Sequence, residues 1–257
     1  MFDKKMNVYW IPAGGYGGDW GESKLNKNLA NIMWYEPQPV LKHFIEERNK
    51  EVAFLKCPAV TDLYKNTYVI RCPIDLYLHY EKDEYNFPKL VCDNHSQEFF
   101  DKFIVQRNIT ENNKFNMVSL SFGYILYAKE SLEVEVAYPC MSHHASTTLK
   151  NISIVCGKYD IGKWVRPLEY AFEVHDISKP LIFKRGDPLY YLRFHTNKKI
   201  NLIRSEVDEE VMDVMESCML IKHYKKRNTL SENYDMAKHL IAKFRKKFNK
   251  CPFDFRK

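Results

Sequence analysis

Between Asn116 and Arg204 the chain runs through a series of short segments that alternate apolar and polar residues, each closed by turn residues. "NMVSLSFGYILYA", "LEVEVAYP", "KNISIVCGKYDIG", "VRPLEYAFEVHD", "PLIFK", "LYYLRFHT" and "INLIRSE" follow one another with little between them. Successive strand residues point to opposite faces, so this alternation buries one face of each segment. A spacing of roughly ten residues between such segments is the signature of a β-sandwich or barrel. The composition agrees: aromatics make up 14% of the chain, with 17 Tyr and 16 Phe, and large rings suit packed sheet faces.

The flanking regions read differently. "NVYWIP" is a short strand, and the glycine-dense stretch from Ala13 to Glu22 is a surface loop. It lacks the G-K-[ST] and G-x-G-x-x-G spacings of phosphate cradles. "PVLKHFIEERNKEVAFL" carries Leu41, Phe44, Ile45 and Arg48 at helical spacing, and "CPAVTDLYKN" reads as a connector. "TYVIRCPIDLYLHYE" has strand character on both sides of Pro73, which predicts a break or bulge there.

After Ser205 the period becomes helical. Ser205 and Asp208 form a capping-box pattern, and Val207, Val211, Val214, Met215, Cys218 and Met219 share a face. A second helix follows, with Ser231 as its expected cap and Ala237, Leu240, Ile241, Phe244 and Phe248 as its apolar stripe. The fold class expected is α+β, mainly β: an antiparallel β-sandwich or jelly-roll-like body with peripheral N-terminal helices and a C-terminal helical pair. Residues 1–204 form the body and 205–257 a basic appendage.

"LIFKRGDPLYYLRFHT", Leu181 to Thr196, reads as a hairpin turning at Gly186-Asp187, with Pro188 opening the second strand. That strand carries large groups on both faces, as a central or covered strand does.

Charge is segregated. The net charge is +6, yet residues 222–257 contain 12 Lys/Arg against Glu232, Asp235 and Asp254, so the rest of the chain is slightly acidic. Such asymmetry points to an interaction segment. Its outward cations, Lys238, Arg245, Lys246, Lys247 and Lys250, are the candidate partner-binding residues, for an acidic protein or for nucleic acid. The seven cysteines are widely spaced with no C-x-x-C, so reduced thiols are expected. No apolar run is long enough for a spanning helix, and the N-terminus does not read as a secretory signal.

One constellation suggests catalysis. His79 and Glu81 form an H-x-E on a strand, on one face, and His195 lies nine residues before Arg204. Two His and a carboxylate on a double-stranded β-helix hold Fe(II) in oxygenases, with an Arg for the co-substrate. Hydrogen-bonded strand-end histidines are the commoner case.

The stretch Gly157 to Thr196 resembles a group of proteins of marine, T4-like tailed phages. "VYWIPAGGYGGDWGESKLNKN", "WYEPQPVLKHFIEER" and "LKCPAVTDLYKNTYVIRCPIDL" are similar to the same group. A looser likeness runs to a bacterial domain family, at Arg166-Pro167-Leu168 and Phe183 to Pro188. Neither brings assigned catalytic residues. The resemblance implies a viral protein, in the virion or the host cytoplasm. The expected function is therefore a non-catalytic phage-type β-sandwich protein, a structural virion component or a host-interaction factor, binding a protein partner and forming a homo-oligomer without a cofactor. The alternatives are the Fe(II) oxygenase and a nucleic-acid-binding protein using the tail.

Overall fold

The computed structural model describes residues 5–12, 34–47, 53–97, 100, 104–106, 116–139, 147–205, 209–224 and 229–248. Strands β1 (Lys5–Pro12), β2 (Gln38–Pro39), β3 (Thr67–Arg71), β4 (Leu76–Lys82), β5 (Pro88–Cys92) and β6 (Ile104–Gln106) precede the long β7 (Asn116–Ala128). Then come β8 (Glu133–Ala137), β9 (Ile152–Ile154), β10 (Gly157–Asp160), β11 (Arg166–Val174), β12 (Leu181–Phe183), β13 (Pro188–Phe194) and β14 (Lys199–Arg204). The helices are α1 (Val40–Glu47), α2 (Pro58–Leu63), α3 (Thr147–Lys150), α4 (Glu209–Tyr224) and α5 (Leu230–Phe248).

The strands form three sheets. The first has the order β14-β1-β7-β11-β9, with β6 also on β7; the second is β10-β8-β13-β3-β2; the third is β12-β4-β5. Among the described residues all pairings are antiparallel but one: β1 and β14 run parallel, Lys5 opposite Lys199 and Trp10 opposite Arg204. The mainly-β sandwich expected from the alternation is present, as an open sandwich.

Alternation decides the core. Leu168, Tyr170, Phe172 and Val174 of β11 point inward, against Tyr190, Leu192 and Phe194 of β13 and Leu181 and Phe183 of β12. Tyr170 stacks on Tyr190 at 5.7 Å and meets Phe183 edge-on at 6.0 Å, so the first sheet packs on both the second and the third.

The outer faces of the two large sheets are covered by helices. Ile11, Ile125 and Tyr127 of the first sheet, with Trp164 and Val165, bury against Val211, Val214, Met215 and Cys218 of α4 and Ala237 and Ile241 of α5. The Trp164 indole Nε1 donates to the Cys218 carbonyl at 3.1 Å. On the second sheet, Val69 and Tyr191 bury against Val40 and Phe44 of α1 and against Tyr64. The order of layers is therefore helices, sheet, sheets, helices. β13 is central and covered, as its two large faces require.

Two local expectations are corrected. The cap of α5 is Thr229, whose Oγ1 accepts the Glu232 N–H at 3.3 Å while Glu232 Oε2 accepts the Thr229 N–H at 2.7 Å. This reciprocal T-x-x-E box satisfies two orphan donors, which Ser231 cannot do from inside the helix. "CPAVTDLYKN" is not a bare connector but contains α2, with Pro58 at its first turn. The capping box proposed at Ser205 and Asp208 falls partly outside the described residues, as do the glycine-dense stretch and Phe244's side chain.

The expected hairpin is also revised. Gly186 does sit in a tight turn with φ +92°. Yet β12 and β13 do not pair with each other: β12 pairs β4 in the third sheet and β13 pairs β3 in the second. Residues 67–78 and 181–194 form one antiparallel ribbon that bends between sheets. Register holds through the bend: Arg71 faces Pro188, Cys72 bonds Asp187, and Leu76 faces Phe183. Pro73 and Pro188 sit at the corner because neither can donate a ladder hydrogen bond.

Candidate functional site

With the large sheets covered outside by helices, the outer face of the third sheet is, among the described residues, without a covering element. On β4, Leu76 and Leu78 point into the core, while Tyr77, His79 and Glu81 point out. On β5, Leu90 and Cys92 point in, and His79 faces Val91 while Glu81 faces Lys89.

The hairpin tip is rigidly built. The Asp83 carboxylate accepts the N–H groups of Tyr85 at 2.9 Å and Phe87 at 2.8 Å. The Asp83 N–H donates to the Phe87 carbonyl at 2.9 Å, and Asn86 N–H returns to the Asp83 carbonyl at 3.0 Å. Asn86 takes φ 65°, in the left-handed region that Asn tolerates. Tyr85 is thereby presented at the tip, 71% exposed. A large ring left in solvent on a pre-organised turn is the kind of anchor that protein interfaces use.

The base of the hairpin is tied to the ribbon's corner. Asn94 accepts the Tyr77 N–H at 3.0 Å and donates to the Asp75 carbonyl at 2.9 Å. The Asp75 carboxylate accepts the Arg185 N–H at 2.7 Å. "RCPID" and "KRGDP", far apart in sequence, thus hold one support for the open face.

His79 lies on that face between two carboxylates, its Nε2 3.0 Å from Glu81 and its Nδ1 3.0 Å from Asp93. The hydrogen bond to Glu81 chiefly, and the Asp93 charge after it, raise the imidazole pKa above its ordinary value. Both ring nitrogens are engaged by carboxylates, so the ring is held between β4 and β5. Sequence reading placed His79 and Glu81 on one strand face, as they are, and missed Asp93, which the β4–β5 register brings across.

The other candidates of the oxygenase constellation lie elsewhere. His195 follows β13 in the second sheet, and its Nε2 is 2.8 Å from Glu135, which is also 3.5 Å from Arg193. Arg204 ends β14, its guanidinium 5.2 Å from the Trp10 ring centre, a cation–π contact. The structure joins His79 to Glu81 and gives His195 and Arg204 other partners. Among the described residues, no group of three or more His, Cys, Asp or Glu side chains is arranged to hold a metal ion.

Of the basic candidates, Lys238 is exposed on α5, at the edge of the stripe formed by the buried Ala237 and Ile241. Arg245, Lys246 and Lys247 belong to the same helix, though their side chains lie outside the described residues, as does Lys250 altogether. Among the described residues, no helix is long and apolar enough to cross a membrane.

A buried polar cluster was not foreseen. His43 of α1 is 1% exposed, and Arg71 lies 3.0 Å from its Nδ1 while also donating to Gln38 at 2.6 Å. Burial, with the Arg71 charge, lowers the His43 pKa to about 4, so the ring is neutral and accepts from the guanidinium. The cluster ties α1 to β3. The thiols of Cys72 and Cys218 are pushed up by burial, to about 12 and about 11, which is the opposite of an activated nucleophile.

No family model, no curated protein and no solved structure matches this chain.

Proposed function

We propose that this chain is a non-catalytic, phage-type binding protein, a virion component or host-interaction factor, working through the open face of the third sheet. The observation that carries the reading is the contrast between faces. Helices cover the two large sheets from outside, while β12-β4-β5 leaves Tyr77 and Tyr85 in solvent above a hydrogen-bonded frame. Residues that must meet a partner are kept rigid before it arrives, which lowers the entropy cost of binding. The titratable groups support the same reading. His79, His195 and Asp160 are each hydrogen-bonded to fixed neighbours, and burial pushes the Cys72 and Cys218 thiols up, away from thiolate character.

The test is elemental analysis of the chain purified from its native host, alongside a search for co-purifying protein. The expected result is no stoichiometric metal. One iron per chain, lost together on His79→Ala and His195→Ala, overturns the reading in favour of the oxygenase.

A further inference from the structure

A sheet edge leaves backbone N–H and C=O groups unpaired, so it can take up another strand. Side chains blunt this fold's edges at several points. On β12, the Thr148 hydroxyl accepts the Ile182 N–H at 2.7 Å and donates to the Ile182 carbonyl at 2.8 Å. On β14, Asn66 accepts the Ile200 N–H at 3.2 Å and the Tyr68 hydroxyl donates to the Ile200 carbonyl at 3.3 Å. On β10, the Tyr234 hydroxyl of α5 accepts the Asp160 N–H.

Between Ile154 and Lys158 the edge is left open. β9 and β10 are parted only by Val155 and Cys156, and they border β11 in the first sheet and β8 in the second. The odd-numbered residues turn their backbone groups inward: the Val155 N–H donates to Ala171 at 2.8 Å and the Ile161 N–H to Leu132 at 2.9 Å. By alternation, Ile154, Cys156 and Lys158 turn theirs outward. Among the described residues these outward groups meet only the Cys156 thiol, 3.8 Å from the Ile154 carbonyl. The stretch is bounded on one side by Ile152, 3% exposed, and on the other by Asp160 with its Tyr234 plug. Its midpoint is Cys156.

Two neighbouring positions indicate what fits there. Val155 is 49% exposed, an apolar side chain left in solvent. Gly157, also exposed, lies two residues on, and a Cβ added to it would meet nothing within 4 Å. A second copy of the strand, laid antiparallel about Cys156, sets the Val155 of each copy opposite the Gly157 of the other. Such a pair is of the non-hydrogen-bonded kind, in which side chains approach most closely, so each valine fills the space over a glycine. Ile154 then stands opposite Lys158, and Cys156 opposite Cys156, so the outward N–H and C=O groups find each other. The two Lys158 side chains, each already paired with its own Glu133 at 2.9 Å, do not oppose one another.

We propose that two copies of this chain pair antiparallel along Ile154 to Lys158, about a twofold axis at Cys156. The contact is isologous, so assembly stops at a dimer. β9 of each copy adjoins β10 of the other, and the first sheet of one copy continues into the second sheet of its mate. The third sheet takes no part, so this dimer stands or falls separately from the open-face reading.

Sedimentation velocity of the full chain over a concentration series tests this. The edge is short, below the roughly 1,200 Å² of standard interfaces, so the dimer should dominate near about 200 µM and dissociate near about 5 µM. In the dimer a short bismaleimide should link Cys156 to Cys156, read by peptide mass mapping, because hydrogen-bonded antiparallel pairs hold their Cα atoms about 5.5 Å apart. Val155→Lys removes the apolar cover and sets cations beside the axis. Cys156→Pro removes the central outward donor without breaking a ladder bond inside the chain. Both positions are exposed, and unchanged circular dichroism checks that each variant folds. Each variant should be monomeric at the concentration where wild type is dimeric, and Val155→Lys should lose the Cys156 link. A wild type that stays monomeric throughout, a folded variant that dimerises like wild type, or a dimer without the Cys156 link overturns the proposal. So does amide exchange at Ile154, Cys156 and Lys158 that slows only when a co-purifying protein is added, which would make a foreign strand the occupant.

Discussion

The peptide nitrogen of Cys72 donates to the carbonyl oxygen of Asp187 at 2.8 Å, and the nitrogen of Gly186 returns to the carbonyl oxygen of Cys72 at 2.9 Å. This exchange carries the ladder of one long ribbon around a corner between two sheets. It also fixes where the third sheet stands, and so where its open face points.

Gly186 takes φ +92° at that corner, and an added Cβ meets nothing nearer than the Tyr35 hydroxyl at 3.6 Å. The cost of Gly186→Ala is therefore backbone strain rather than a clash, about 1–2 kcal/mol. The urea midpoint should fall accordingly while the slope stays unchanged. A midpoint equal to wild type would show that the corner is not strained.

Asp160 is the deepest carboxylate in the described structure. Burial alone would raise its pKa, but hydrogen bonds from Ser131, from the N–H groups of Leu132 and Gly162, and from Lys163 outweigh this and hold it below the ordinary carboxylate value. Asp160→Ala leaves those two backbone donors without an acceptor and should destabilise the fold by about 2–4 kcal/mol. Its own N–H meets the Tyr234 hydroxyl of α5, so loosening should also appear as faster hydrogen exchange in α5.

Tyr170 and Tyr190 are buried, and neither hydroxyl has a hydrogen-bond partner among the described residues. A buried unpaired hydroxyl costs about 1–3 kcal/mol, so Tyr190→Phe should hold stability level or raise it. A clear loss on chemical denaturation would mean that the hydroxyl is satisfied by internal water.

His43 sets an acid limit. Its folded pKa near 4 lies below the ordinary 6.5, so the unfolded chain binds more protons between those values. Stability from this group is complete above pH 6.5 and is lost as pH falls toward 4, by up to about 3 kcal/mol. Denaturation at pH 7 and pH 5 should show the loss in wild type and a smaller one in His43→Gln.

Much of this fold was legible from residue order. Every segment read as a strand between Asn116 and Arg204 contains one, because period-two alternation reports a half-buried sheet directly, but the segment from Lys150 to Gly162 read as one holds two, β9 and β10, in different sheets. Pairing was not legible. "LIFKRGDPLYYLRF" has the local form of a hairpin, and the partners that recruit its halves to different sheets lie more than a hundred residues earlier, in "TYVIRCPIDLYL". Likewise the H-x-E step placed His79 beside Glu81, but Asp93 comes into reach only through the register of β5. The α5 cap was readable as T-x-x-E at Thr229 and Glu232. The His43–Arg71 contact joins a helix to a strand and has no local signature.

The central claim is that the open face of β12-β4-β5 is the working surface of this protein. Hydrogen exchange on the full chain, alone and together with the protein that co-purifies with it, tests it most directly. Slower exchange is expected in the complex across residues 82–89, around Tyr85, with the central strand β13 unchanged. Identical exchange of residues 82–89 with and without that protein would contradict it.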